Sequence, residues 1–158
     1  MGMSGTEWRF HRRFAVKAFN QAWKYLDKKT LNEDEGALLL HLAHTSYYHW
    51  DLVGNDRNRA IAFWQLSKAY SLVGDPQLAT SFALVGLRMC KDSKLQDLMP
   101  SMEEAAAKAF AVAGDYRAAR RHLATAKAHL GRLKLDKEDR VIFESQIAAT
   151  EDLLKGEK

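Results

Sequence analysis

"WQLSKAYSLVGDPQLATSFAL" (residues 64–84) and "EAAAKAFAVAGDYRAARRHLA" (residues 104–124) are two copies of one pattern. Laid over each other at an offset of 40, Lys68, Ala69, Gly74, Asp75 and Ala79 match Lys108, Ala109, Gly114, Asp115 and Ala119. Tyr70 faces Phe110, Leu72 faces Val112 and Leu78 faces Ala118. Each copy reads as a helix, a Gly-Asp turn and a second helix. The glycine closes the first helix in the left-handed conformation, and the aspartate caps the next. Alanine recurs where the two helices must approach closely. One such hairpin cannot bury its apolar side alone, so the units must stack.

The rest of the chain agrees with a helical stack. Long stretches free of Pro and Gly are rich in Ala, Leu, Lys, Glu and Gln, which lose little side-chain freedom in a helix. Runs of Val, Ile and Thr alternating with polar residues are absent, so the chain reads as all-α. Seven helices can be placed. The first is expected over residues 6–29, with Thr6 as cap. The second is expected over 33–53 behind Asn32, and the third runs to Val73. Gly54 is expected to end the second helix in the left-handed conformation. Pro76 suits the first position of the fourth helix, where its missing N–H costs nothing. Ser101 and Glu104 have capping-box spacing for the fifth. The sixth ends near Gly131, and Asp136 caps the seventh. The expected architecture is three antiparallel hairpins closed by a C-terminal capping helix. At 158 residues this is one domain, with residues 1–5 as an irregular start or cloning remnant.

Composition narrows the function classes. Cys90 is the only cysteine, so an intrachain disulfide and four-sulfur zinc motifs are excluded, and a reducing, cytoplasmic setting is expected. No apolar run reaches the roughly 20 residues that span a bilayer. The start "MGMSGT" matches the N-myristoylation pattern, a short pattern that chance often produces. The net charge of +4 permits an acidic partner but does not call for nucleic acid. Arg9, Arg13, Lys17, Lys24 and Lys28 form a basic stripe on the first helix, best read as a solvated face. Trp8, Phe10, Phe14, Phe19 and Trp23 give that helix more aromatic surface than one packing face needs, which points to self-association. Arg117, Arg120 and Arg121 in the sixth helix are an anion-gripping set only if they converge. Gly-rich phosphate loops and dinucleotide fingerprints are missing.

"AYSLVGDPQLA" (69–79) and "AFAVAGDYRAA" (109–119) resemble the middle of tetratricopeptide repeats, over about residues 60 to 131. The spacing of 40 exceeds the usual 34 because the segment near Leu95–Pro100 lengthens it, and the motif's terminal Pro has no clear counterpart. The resemblance implies a helical-repeat scaffold that holds a peptide or protein in a groove, with no catalytic activity and no cofactor. The whole chain is also similar to an uncharacterised bacterial family of about this length. That similarity lies in "FNQAWKYLD" (19–27), "HLAHTSYYHW" (41–50), "VGNDRNRAIAFWQLSKAYSLVG" (53–74) and "AFAVAGD" (109–115). It implies a bacterial origin and assigns no reaction.

"HLAHTSYYHW" is the one concentration of chemistry-bearing side chains. At about 100° per residue, Leu39, Leu42, Ala43, Ser46, Trp50 and Val53 share a face, and His41, His44 and Tyr48 lie nearly opposite. His49 lies to one side. As a metal site, His41 and His44 lack the third ligand that zinc or iron requires. As a catalytic site, His44 or His49 beside Tyr48 has no nucleophile with a motif. As structural residues, His and Tyr would hydrogen-bond neighbouring helices while their rings pack. As a ligand or partner groove, His41, His44, Tyr48, His49 and Trp64 would line it together. The sequence therefore leads to a binding module with that groove. The alternative is a small-molecule or metal-binding activity centred on His41, His44, Tyr48 and His49.

Overall fold

The structure is a computed structural model that describes residues 2–157. Among these residues there are seven α-helices and no strand. They are α1 (Gly5–Leu26), α2 (Glu33–Val53), α3 (Asp56–Val73), α4 (Pro76–Asp92), α5 (Met99–Val112), α6 (Tyr116–Arg132) and α7 (Lys137–Leu154), with a short 3-10 turn at Gln96–Leu98.

Side-chain caps set most of the helix starts. Ser4, rather than Thr6, caps α1: Ser4 Oγ accepts from the Glu7 N–H, and the Glu7 carboxylate accepts from the Ser4 N–H. The helix therefore begins inside the stretch expected to be an irregular start. Asn32, Asn55, Asp75, Asp115 and Asp136 cap α2, α3, α4, α6 and α7, each accepting from an N–H three residues on. Gly74 and Gly114 have φ of 83° and 79°, the left-handed ends that the repeat demands. Gly54 does not follow them: its φ is −88°. It is small for another reason, because a Cβ there would sit 2.6 Å from the Trp50 carbonyl oxygen. The expected Ser101–Glu104 capping box is also absent. The preceding 3-10 turn lets α5 start at Met99 with no side-chain cap, and Glu104 is drawn into the interior instead.

The helices form two layers. α1, α3, α5 and α7 touch one another in succession, while α2, α4 and α6 each lie mainly against their neighbours in the chain. Consecutive helices pair as α1·α2, α3·α4 and α5·α6, and α7 closes the stack against α5 and α6. Alanine makes the close approaches. Ala15, Ala18 and Ala22 are buried on α1, and Ala105, Ala106, Ala107, Ala109 and Ala111 on α5. Gly86 of α4 meets α5 so closely that a Cβ would lie 2.5 Å from Met102 Sδ. Buried polar groups tie α1 to α2 and to α3. Ser46 Oγ donates to the Ala15 carbonyl at 3.0 Å, and Gln65 Nε2 donates to the Phe19 carbonyl at 3.1 Å.

Candidate functional site

The succession of α1, α3, α5 and α7 leaves a groove along one side of the stack. One part is apolar, a cavity of about 200 Å³ bounded by Trp23, Ile61, Trp64, Met102, Ile142 and Phe143. It joins a wider, polar part of about 530 Å³ at Trp23, Trp64 and Gln146. The polar part carries Lys28, Lys29, Lys68, Lys108, Asp27 and Glu104.

The repeat builds two of the walls. Ile61, Trp64, Lys68 and Leu72 of α3 line the groove, and so do Ser101, Glu104, Lys108 and Val112 of α5. These are four pairs at the same offset of 40. Each set is spaced three or four residues apart, one stripe of a helix. The Trp23 and Trp64 rings meet at 5.3 Å between centroids, so the two tryptophans form one aromatic wall from α1 to α3.

Glu104 organises the charges. It is 1 % exposed, and each oxygen has a partner. Oε2 accepts from Lys68 Nζ at 2.7 Å, and Oε1 accepts from the Thr150 hydroxyl at 2.5 Å. One carboxylate thus joins α3, α5 and α7 across the groove floor. Lys108, one turn further along α5, has no ion pair among the described residues. Burial pushes its ammonium below the usual lysine range, and the nearby Lys68 charge pushes it further, against the pull of Glu104. Two buried polar atoms of groove residues, Trp64 Nε1 and Ser71 Oγ, also have no hydrogen-bond partner among the described residues.

The residues singled out in the sequence separate. Trp64 stands in the groove, 8 % exposed. His41, His44, Tyr48 and His49 belong to α2, in the other layer, where the Tyr48 and His49 rings meet edge-on at 5.3 Å between centroids. His41 is exposed. His44 Nε2 lies 2.8 Å from the Tyr70 hydroxyl, and its ring packs edge-on against Tyr70 and Phe82. Burial first, and then His41, holds the His44 pKa below the usual histidine value. His49 Nδ1 lies 2.7 Å from His11 Nδ1 of α1, with Phe14 beside the ring. Burial and then His11 lower its pKa. Tyr48 is exposed, at 59 %. Among the described residues no three His, Cys, Asp or Glu side chains converge as a metal-binding set. Of the five residues expected to line one groove, only Trp64 lines the cavity between the odd-numbered helices. The wheel placed the buried face of α2 correctly, at Leu39, Ala43, Ser46 and Trp50. What it could not supply is which layer α2 occupies.

Two other groups of residues resolve locally, and a part-buried His122–Glu103 contact lies beside one of them. Arg120 turns to the end of α7, donating to the Leu154 and Glu157 carbonyls, so the three α6 arginines do not act together. His122 Nδ1 lies 2.6 Å from the buried Glu103 carboxylate, and its ring stacks on Phe110. The aromatic residues of α1 divide: Phe19 and Trp23 pack into the stack, whereas Trp8, Phe10 and Phe14 stay exposed. No helix among the described residues is long and apolar enough to cross a membrane. Compared with known proteins, the chain matches no protein-family model, no curated protein and no solved structure, so the two resemblances rest on their motifs alone.

Proposed function

We propose that this is a tetratricopeptide-like interaction module that holds a peptide segment of a partner protein in the groove between α1, α3, α5 and α7. The observation that carries the reading is the groove itself. Two repeat copies present matching stripes to one cavity, and that cavity passes from an aromatic wall at Trp23 and Trp64 to a polar floor at Lys68, Glu104 and Lys108. Large aromatic anchors beside a few fixed polar groups are what peptide recognition uses. Recognition would rest on shape and polar contacts, with no covalent chemistry. The single, buried thiol of Cys90 supports a reducing, cytoplasmic setting. The exposed Trp8, Phe10 and Phe14 support self-association through α1 as a second, separate contact.

The test is selection of a displayed random-peptide library on the purified protein, with three variants run beside it. Enriched peptides should lose binding to Trp64→Ala and to Lys68→Ala/Lys108→Ala, and keep it for His41→Ala/Tyr48→Ala. Peptides whose binding follows the α2 substitutions would place the site on the other layer and reject the groove.

A further inference from the structure

The lysines of the groove are unequally satisfied. Four lysines and two carboxylates line its polar part. Lys28 is bound to Glu35 and Lys68 to Glu104. Lys29, at the exposed rim, and Lys108, mostly enclosed on the floor, have no ion pair among the described residues. Asp27 sits on the exposed rim, and Glu104 is already used twice. An enclosed ammonium without an ion-pair partner is held at a cost, which an arriving carboxylate lowers. Desolvation of Lys108 agrees with this. Beside these cations the groove turns apolar at Trp23, Trp64 and Phe143.

We infer that the groove accepts an acidic peptide segment: one ligand carboxylate side chain pairs with Lys108 on the floor, a second with Lys29 at the rim, and a neighbouring large apolar side chain fills the cavity between Trp23, Trp64 and Phe143. This rests on the groove being the peptide site and specifies what it takes. Two unpaired cations at different depths suit a segment with at least two acidic side chains. A phosphate backbone is a poorer match, since Lys108 is enclosed between helices and not set on an open stripe.

The experiment uses two acetylated, amidated peptides that differ only in carrying Asp-Glu-Leu-Phe or Asn-Gln-Leu-Phe. Binding is followed by tryptophan fluorescence and calorimetry on the full chain. The acidic peptide should bind about tenfold tighter than the neutral one at low salt, and the difference should shrink as salt rises. Lys108→Gln should remove most of the preference, bringing the affinity of the acidic peptide close to that of the neutral one. Lys29→Gln should remove a smaller part, and Lys108→Arg should keep it. Unchanged thermal unfolding of each variant shows that the fold is retained. Equal binding of the two peptides, lost in Trp64→Ala, would overturn the anion subsite and leave the groove intact. Binding of neither peptide would overturn this proposal, and the groove reading would still be decided by the library selection. Tighter binding of a single-stranded RNA oligonucleotide than of the acidic peptide, sensitive to Lys108→Gln, would replace the peptide as occupant.

Discussion

Lys68 and Lys108 hold equivalent places in the two repeat copies, yet only Lys68 is neutralised, its ammonium lying 2.7 Å from Glu104 Oε2. The asymmetry follows from one substitution within the repeat. The position that is Trp64 in the first copy is Glu104 in the second. The first copy therefore gives the groove an aromatic wall, and the second gives it a buried carboxylate that reaches back to Lys68 and forward to Thr150. The same position supplies both the cavity's apolar character and its charge order.

Glu104 should be a stability hub. Removing one partner of a buried ion pair leaves the other charge unmatched, a loss of about 3 kcal/mol. Lys68 keeps some solvent contact, at 13 % side-chain exposure, which reduces that figure. Glu104→Ala should lower the urea midpoint clearly, and Lys68→Met/Glu104→Gln should recover part of the loss. A Glu104→Ala protein as stable as the parent would show that the pair adds nothing.

Two glycines should respond oppositely to alanine. Gly114 has φ of 79°, where a Cβ is strained, so Gly114→Ala should cost on the order of 1 kcal/mol. Gly131 lies inside α6 with open space around it, so Gly131→Ala should stabilise by about 0.5–1 kcal/mol. Melting temperatures of the two variants should move in opposite directions, and the same sign for both would contradict the backbone account.

The histidine pair predicts a pH dependence. His11 Nδ1 and His49 Nδ1 are 2.7 Å apart, so the contact needs one nitrogen to donate and the other to accept. The pKa values of His49 and His44 are lowered from 6.5 in the fold, so around and just below that pH the unfolded chain binds more protons than the folded one. The associated stability is complete above the unfolded value and is lost as pH falls from about 6.5 toward the lower folded values. Melting temperature should drop between pH 7.5 and pH 5.5. His11→Leu/His49→Phe should flatten that drop. An unchanged slope in the double variant would remove the pair from the explanation.

Cys90 should be inert. Its thiol is fully buried, and desolvation pushes its pKa up to about 11, so little thiolate forms near neutrality. A disulfide-exchange reagent at pH 8 should react with it only after urea is added. Rapid, stoichiometric labelling of the folded protein would contradict this burial.

The repeat made the fold legible, and it also contained most of the candidate groove. The Gly-Asp turns, the alanine spacing and the caps at Asn32, Asp75, Asp115 and Asp136 are local features that appear as expected. Lys68 with Lys108 and Leu72 with Val112 were visible as matched pairs, and both pairs line the groove. What the residue pattern lacks is which layer each helix joins. A density of histidine and tyrosine drew attention to α2, although α2 stands outside the groove layer. Glu104 was missed because its spacing from Ser101 imitates a capping box, while its true partners, Lys68 and Thr150, lie 36 and 46 residues away. The signal that would have found it is the repeat itself, which puts a carboxylate at the position of Trp64 and so inside the stack.

Heteronuclear NMR of the labelled protein during titration with the acidic Asp-Glu-Leu-Phe peptide tests the central claim most directly. The account predicts that the Trp23 and Trp64 indole N–H signals and the backbone amides around Lys68, Glu104, Lys108 and Thr150 shift together with one affinity, while those of His41, Thr45 and Tyr48 stay in place. Shifts centred on α2, with the groove signals unmoved, would contradict it.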